Sequence, residues 1–167
     1  MVTIREFEDR DLQAVTAINN DGYPAVPMTS SEEMAALVSV SSLALVAEND
    51  DGTPIGFLVA VDPGQQYDSE NYVFFERSFG NHLYIDRIVL SEDSRGLGVG
   101  ADFYQHVFDK ARADGRSSVT CEVNIEPPNP GSLRFHRRWG FVDVDTQSTK
   151  GGSVVVQLLH APLSEEL

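Results

Sequence analysis

Between Ser94 and Tyr104 the chain reads SRGLGVGADFY, an arginine followed by glycines at 96, 98 and 100 and then by a helix-like apolar pattern. Glycine reaches positive φ without penalty and lets bare N–H groups approach a partner, and a helix N-terminus favours negative charge. The stretch predicts a tight turn or an anion cradle. Read as GLGVGA it also fits the dinucleotide fingerprint G-x-G-x-x-A, with Glu122 as the acidic residue of a later strand. Its position argues against that reading, because SEDSR separates the preceding strand from the first glycine and more than half of the chain comes earlier.

A second group lies in NPGSLRFHRRWGF, residues 129–141. Asn129, Ser132, Leu133 and His136 stand three and four apart and share one helix face, whereas Phe135 and Trp139 share another and are expected to anchor it in the core. Two carboxylates complete the set. Alternation along SVTCEVN places Thr120, Glu122 and Asn124 on one strand face, and Asp86 sits in HLYIDRIVL. A carboxylate in a central strand covered by helices is costly unless it is paired or functional, so both are candidate bases. Asp86 and Arg87 are adjacent on a strand, point to opposite faces and are expected to be poor partners. Arg87 is instead free to bridge to Glu122.

The elements that must position these groups follow from periodicity and punctuation. VTIREF alternates as a strand, and Leu12, Val15 and Ile18 mark a helix after it. Beyond a proline-containing loop, Ser30 or Ser31 ahead of Glu33 caps a second helix. SLALVAE and PIGFLVAVD flank NDDGT, whose Asp-Gly pair predicts a hairpin. Residues 64–81 then read as a long irregular insertion rich in aromatics, among them Tyr72, Phe74, Phe75 and Phe79. HLYIDRIVL is a strand. A helix with Val99, Phe103, Val107 and Ala111 on one stripe follows the glycines, SVTCEVN is the next strand, and Asn129 caps a helix with Pro130 first and Gly140 just past its end. FVDVDT and SVVVQLL close the chain as strands.

The chain has 167 residues, 41% hydrophobic and 23% charged, a size and balance suited to one globular domain over residues 1–167. No signal-like or membrane-spanning run is read, so a soluble, cytoplasmic protein is expected. The formal charge of −14 repels phosphate backbones and anionic membranes, which argues against nucleic acid and membrane partners. Cys121, the single cysteine, reads as a small buried hydrophobe, and no metal is assigned.

Together RGLGVG and NPGSLRFHRRWGF resemble the GNAT superfamily of acetyl-CoA-dependent N-acyltransferases, whose phosphate loop reads [RQ]-x-x-G-x-[GA] and whose later helix reads N-x-x-S-x-x-F-Y-x-x-x-G-F. YIDRIVL, CEVNIEPPNP and FHRRWGF further resemble a bacterial subgroup of that superfamily. The resemblance implies an α/β fold with a central mixed, mostly antiparallel sheet of about seven strands flanked by about four helices. It implies acetyl-CoA as co-substrate, with Arg95, Gly96, Leu97, Gly98, Val99, Gly100 and Ala101 around the pyrophosphate. Ile88, Val89 and Leu90 would pair with the pantetheine arm, a backbone N–H near Val89 would face the oxyanion, and Asn129, Ser132 and His136 would complete the cofactor side.

Catalysis would fall to Asp86 or Glu122 as base, with His136 where the superfamily usually has tyrosine. A phenol titrates near about 10 and an imidazole near about 6.5, so the acid role of that position stays open. Tyr72 and Phe75 are expected to wall the acceptor site together with residues 19–27, with the alternative, held equally open, that the aromatics Phe74, Phe75 and Phe79 cover the edge of the core. The expected reaction is direct attack of a small-molecule amine on acetyl-CoA in a ternary complex. A CoA-binding module without catalysis is the alternative, and a monomer and a homodimer are both open.

Overall fold

The structure, a computed structural model, describes residues 1–126 and 128–163. Seven strands, β1 (Thr3–Glu6), β2 (Leu43–Glu48), β3 (Pro54–Val61), β4 (His82–Leu90), β5 (Ser118–Glu126), β6 (Val142–Thr149) and β7 (Val154–Pro162), form one sheet in the order β1-β2-β3-β4-β5-β7-β6. The β4–β5 pair is parallel; β1–β2, β2–β3, β5–β7 and β6–β7 are antiparallel. The helices are α1 (Leu12–Asp21), α2 (Ser31–Val40), α3 (Glu70–Ser78), α4 (Val99–Ala113) and α5 (Pro130–Arg138). This is the mixed, mostly antiparallel α/β sheet expected. Among the described residues no helix is long and apolar enough to cross a membrane.

The chain falls into two compact units, one of Met1–Val61 with Ile85–Asp109 and one of Asp62–Tyr84 with the chain from Lys110 onward. In the first unit the local signals act as read. Ser30 Oγ accepts the Glu33 N–H at 3.1 Å while Glu33 Oε1 accepts the Ser30 N–H at 3.0 Å, a reciprocal cap that starts α2. The β2–β3 hairpin turns through Gly52 at φ +78°, and Asn49 Oδ1 accepts the N–H groups of Asp51 and Thr53, each at 3.0 Å. Val99, Phe103 and Val107 of α4 are buried as the stripe predicted.

Gly56 on β3 has a different reason. A Cβ there would stand 3.1 Å from the Val89 carbonyl oxygen and 3.0 Å from Leu90 Cδ2, tighter than an ordinary contact, so glycine lets β3 lie close against this part of β4.

In the second unit β7 lies between β5 and β6, and Cys121, Leu158, Leu159 and Phe141 are buried. Burial pushes the Cys121 thiol pKa well above its ordinary value, in keeping with a packing role. The stretch expected to be irregular contains α3, whose Ser69 hydroxyl accepts the Tyr72 N–H at 3.3 Å. Tyr72, Phe75 and Phe79 stand three and four apart, so a helical period was present beneath the loop-like composition.

Candidate active site

In the first unit β4 leads from Ile85 to Leu90 directly into the glycine stretch through a 310 turn at Glu92–Ser94. Ser94 is buried, and both its N–H and its hydroxyl donate to the Ser91 carbonyl, at 3.1 and 2.6 Å. That turn fixes where the loop begins. Gly96 and Gly98 have φ of +76° and +70°, a region L-residues avoid, although a Cβ at either would meet nothing within 4 Å. Glycine is required there by backbone conformation, not by crowding within the protein.

The α4 ladder begins with the Asp102 N–H donating to the Gly98 carbonyl at 3.1 Å. The N–H groups of Val99, Gly100 and Ala101 therefore precede the first bond the helix can supply. Arg95, Gly96, Leu97 and Gly98 are exposed beside them. An exposed loop, an arginine and a helix N-terminus whose first amides have no helical partner together suit a pyrophosphate.

Asp86 is held differently from expectation. Its Oδ2 lies 3.3 Å from Arg87 Nε, and the two side chains are only 7% and 14% exposed. The long arginine stem curls back, so neighbours that leave the strand on opposite faces still form an ion pair. Arg87 NH1 donates to Thr29 Oγ1 at 2.6 Å and to Asn19 Oδ1 at 3.2 Å.

Glu122, in the second unit, takes the Tyr84 hydroxyl. That phenol donates to both carboxylate oxygens, at 2.7 and 2.9 Å, and Tyr84 is fully buried. One rung earlier in the parallel ladder, His82 Nδ1 lies 2.8 Å from Thr120 Oγ1 and its Nε2 lies 2.6 Å from Glu76 Oε1. Thr120 and Glu122 do share a face, as alternation required, and β4 meets them with His82 and Tyr84.

His136 is 3% exposed, and its Nδ1 lies 2.7 Å from the Ser132 carbonyl. A carbonyl only accepts, so Nδ1 carries the proton and a neutral ring keeps a lone pair on Nε2. Burial pushes the pKa of this imidazole below its ordinary value, against a smaller upward effect of the Ser132 bond. The ring packs edge-on against Phe141 at 5.2 Å and Phe135 at 5.5 Å. His136 is the buried residue of α5, while Phe135 and Trp139, expected to anchor it in the core, are half-buried. Asn129 occupies the N-cap position as expected but makes no side-chain cap bond.

Residues 11–141 match the model of the acetyltransferase (GNAT) family. The chain belongs to that family. A relative in Drosophila melanogaster, "Probable N-acetyltransferase san", is 33% identical over 66 residues, which are 39% of this chain and 35% of that protein. The chain thus spans about a third of that relative's length. The ribosomal-protein-S18-alanine N-acetyltransferase of Escherichia coli is 18% identical with a TM-score of 0.75, over 99% of this chain and 96% of that one. The yncA structure from Salmonella typhimurium, solved with its cofactor acetyl-CoA, is 18% identical with a TM-score of 0.72, over 100% and 96%. These structural likenesses show a shared fold.

Among the GNAT residues expected from sequence, two need correction. Tyr72 and Phe75 are 1% and 0% exposed and form an aromatic cluster with Tyr84 and His82. The Tyr72 hydroxyl donates to the Asp62 carbonyl at 2.7 Å, accepts the Gln65 N–H at 3.1 Å, and has its pKa raised by burial. Neither side chain presents surface for an acceptor to touch. Tyr84, Asn19 and Thr29 were missed. Alternation along β4 put Tyr84 on the same face as Asp86 and offered a signal for it; nothing local pointed to Asn19 or Thr29.

Proposed function

We propose that this GNAT-family protein transfers an acetyl group from acetyl-CoA to the amine of a small molecule, and that residues 1–167 act as one acetyltransferase domain. The observation that carries the reading is the loop Arg95–Ala101, where two glycines in left-handed backbone turn the chain into a helix start whose first amides have no helical partner. Arg95 and those amides would hold the pyrophosphate. Ile88, Val89 and Leu90 offer a strand edge for the pantetheine amides, and a backbone N–H near Val89 would face the oxyanion.

The transfer moves one proton from nitrogen to sulfur. A neutral amine attacks the thioester carbonyl, the C–N bond forms, and the C–S bond breaks. One carboxylate suffices for the proton, taking it from nitrogen and returning it to the leaving thiolate. The carboxylate would be Asp86, held by Arg87, or Glu122, oriented by Tyr84. A neutral His136 with its proton on Nδ1 has none on Nε2 to give, so its role is to accept a hydrogen bond and pack. The acceptor wall falls to residues 22–28, where Tyr23 is 62% and Met28 59% exposed. Their apolar surface favours an amine with an apolar body over a long polyamine.

The test begins with acetyl-CoA at about 100 times its Kd, which should stabilise the native protein by about 2.7 kcal/mol and raise its Tm. Gly98→Asp places a negative charge at the cradle and should abolish that shift. Gly98→Ala carries the same backbone strain without charge and should retain most of it. An undiminished shift in Gly98→Asp would remove the loop assignment, and no release of free thiol with any amine would favour a binding module.

A further inference from the structure

We propose that Arg87 is a positioning residue for the acceptor side of the reaction: it fastens the loop 22–29 to β4 and thereby sets the affinity for the amine without touching the reacting atoms. The inference rests on the reading that this loop borders the acceptor. Arg87, the loop and β4 from Ile85 onward all belong to the first unit.

The loop between α1 and α2 is tied from inside by a set of polar bonds. Asn20 Oδ1 accepts the Thr29 N–H at 2.9 Å while Asn20 Nδ2 donates to the Thr29 carbonyl at 3.0 Å. Asn19 Nδ2 and Thr29 Oγ1 both donate to the Pro27 carbonyl, at 2.9 and 3.0 Å. What remains are acceptor positions on Asn19 Oδ1 and Thr29 Oγ1, and one donor, Arg87 NH1, takes both. Asn19 is 0% and Thr29 6% exposed, so removing that donor leaves two buried acceptors short of a partner.

A second contact lies at the other end of the loop. A Cβ on Gly22, whose φ is an ordinary −84°, would stand 3.1 Å from Val89 Cγ1 and 3.2 Å from Val26 Cγ2. A side chain there would have to push these neighbours back by a few tenths of an ångström. The loop is therefore fastened at Arg87 and pressed at Val89, on the same stretch of β4 that carries Asp86. Tyr23 and Met28 are displayed on its outside, held in place before any ligand arrives. Preorganisation of this kind lowers the ordering cost of binding and leaves the chemical step alone.

Thr29 separates this role from any effect on Asp86, since Thr29 bonds Arg87 NH1 whereas Asp86 faces Nε. The experiment uses the full chain with acetyl-CoA and three probes: 2-phenylethylamine, spermidine and a short peptide beginning with alanine. For whichever probe is acetylated best, Thr29→Val should raise the acceptor KM about tenfold or more, with kcat and the acetyl-CoA KM within about twofold of wild type. Thr29→Ser keeps the hydroxyl and should restore the wild-type KM. Arg87→Lys, which keeps the charge but loses the fork, should raise the acceptor KM in the same way.

Hydrogen exchange of residues 22–29 should quicken in Thr29→Val and Arg87→Lys, with the amides of α2 unchanged. Faster exchange with an unchanged acceptor KM overturns the proposal, as does a fall in kcat at constant KM. Failure of the wild type to acetylate any of the three probes is a separate result; it removes the small-amine transferase reading and the proposal with it.

Discussion

In the unit of Met1–Val61 and Ile85–Asp109 the buried polar side chains are organised by guanidinium groups. Arg5 donates to both Asp11 oxygens at 2.7 and 2.8 Å and to Glu48 at 2.9 Å, and Arg87 gathers Asp86, Asn19 and Thr29. The other unit also has an arginine pair, Arg116 with Asp62 at 3.4 Å, but its buried polar groups are mostly imidazoles set among aromatic rings. His82 joins Glu76 to Thr120, His136 rests on Ser132 and Phe141, and His160 stacks on Phe79 with ring centroids 4.0 Å apart. A guanidinium keeps its charge at every pH at which proteins fold, whereas an imidazole changes charge near neutrality. The two regions should therefore fail under different conditions.

The largest expected effect is on the aromatic side. Phe75→Ala removes a fully buried ring beside Tyr84 and His82 and should cost about 3–5 kcal/mol in denaturant unfolding, equally at pH 7 and pH 5. A loss below about 1 kcal/mol would mean that this cluster does not hold its unit together.

Arg5→Met tests the guanidinium side. It leaves the Asp11 carboxylate, 4% exposed, without its cation; because Arg5 is itself 19% exposed, the cost should be about 2–3 kcal/mol. Arg5 holds the Asp11 pKa below its ordinary value of 3.8, so that contribution is present above pH 3.8 and is lost only as the pH falls below it. The variant and the wild type should accordingly converge in stability at the acid end.

The smallest effect is the pH response of the wild type. Burial pushes the pKa values of His82, His136 and His160 below 6.5, with the Glu76 bond opposing it at His82 and the charge of His82 adding to it at His160. Below pH 6.5 the unfolded chain binds more protons than the folded one, so stability falls as the pH drops toward the lowered values. Residue-resolved hydrogen exchange between pH 7 and pH 5, corrected for intrinsic rates, should show residues 62–84 and 118–162 losing protection before residues 1–61. The opposite order would dissolve the contrast between the two units.

Much of the fold was legible because its signals are local. The Ser30–Glu33 cap, the turn at Asp51-Gly52 and the α4 stripe each depend on residues a few positions apart, and each acts as read. Helix α3 was obscured by neighbouring proline, glycine and aspartate, although its period was there. On α5 the fully buried residue is His136 and not Phe135 or Trp139, because a bond to its own helix carbonyl lets the ring be buried neutral.

The sequence by itself determined the family motifs, the alternation of strands and helices, and the backbone conformation of the anion loop, because glycine at positive φ and a helix start are properties of a few consecutive residues. Only the tertiary structure decided the partners. Tyr84 and Glu122 are 38 residues apart and meet through the parallel register of β4 on β5; Arg87 and Thr29 are 58 apart and meet because the 22–29 loop packs on Val89. A hydrogen bond is won at about 3 Å, and which long-range pair reaches that distance is set by register and packing, which no local pattern encodes.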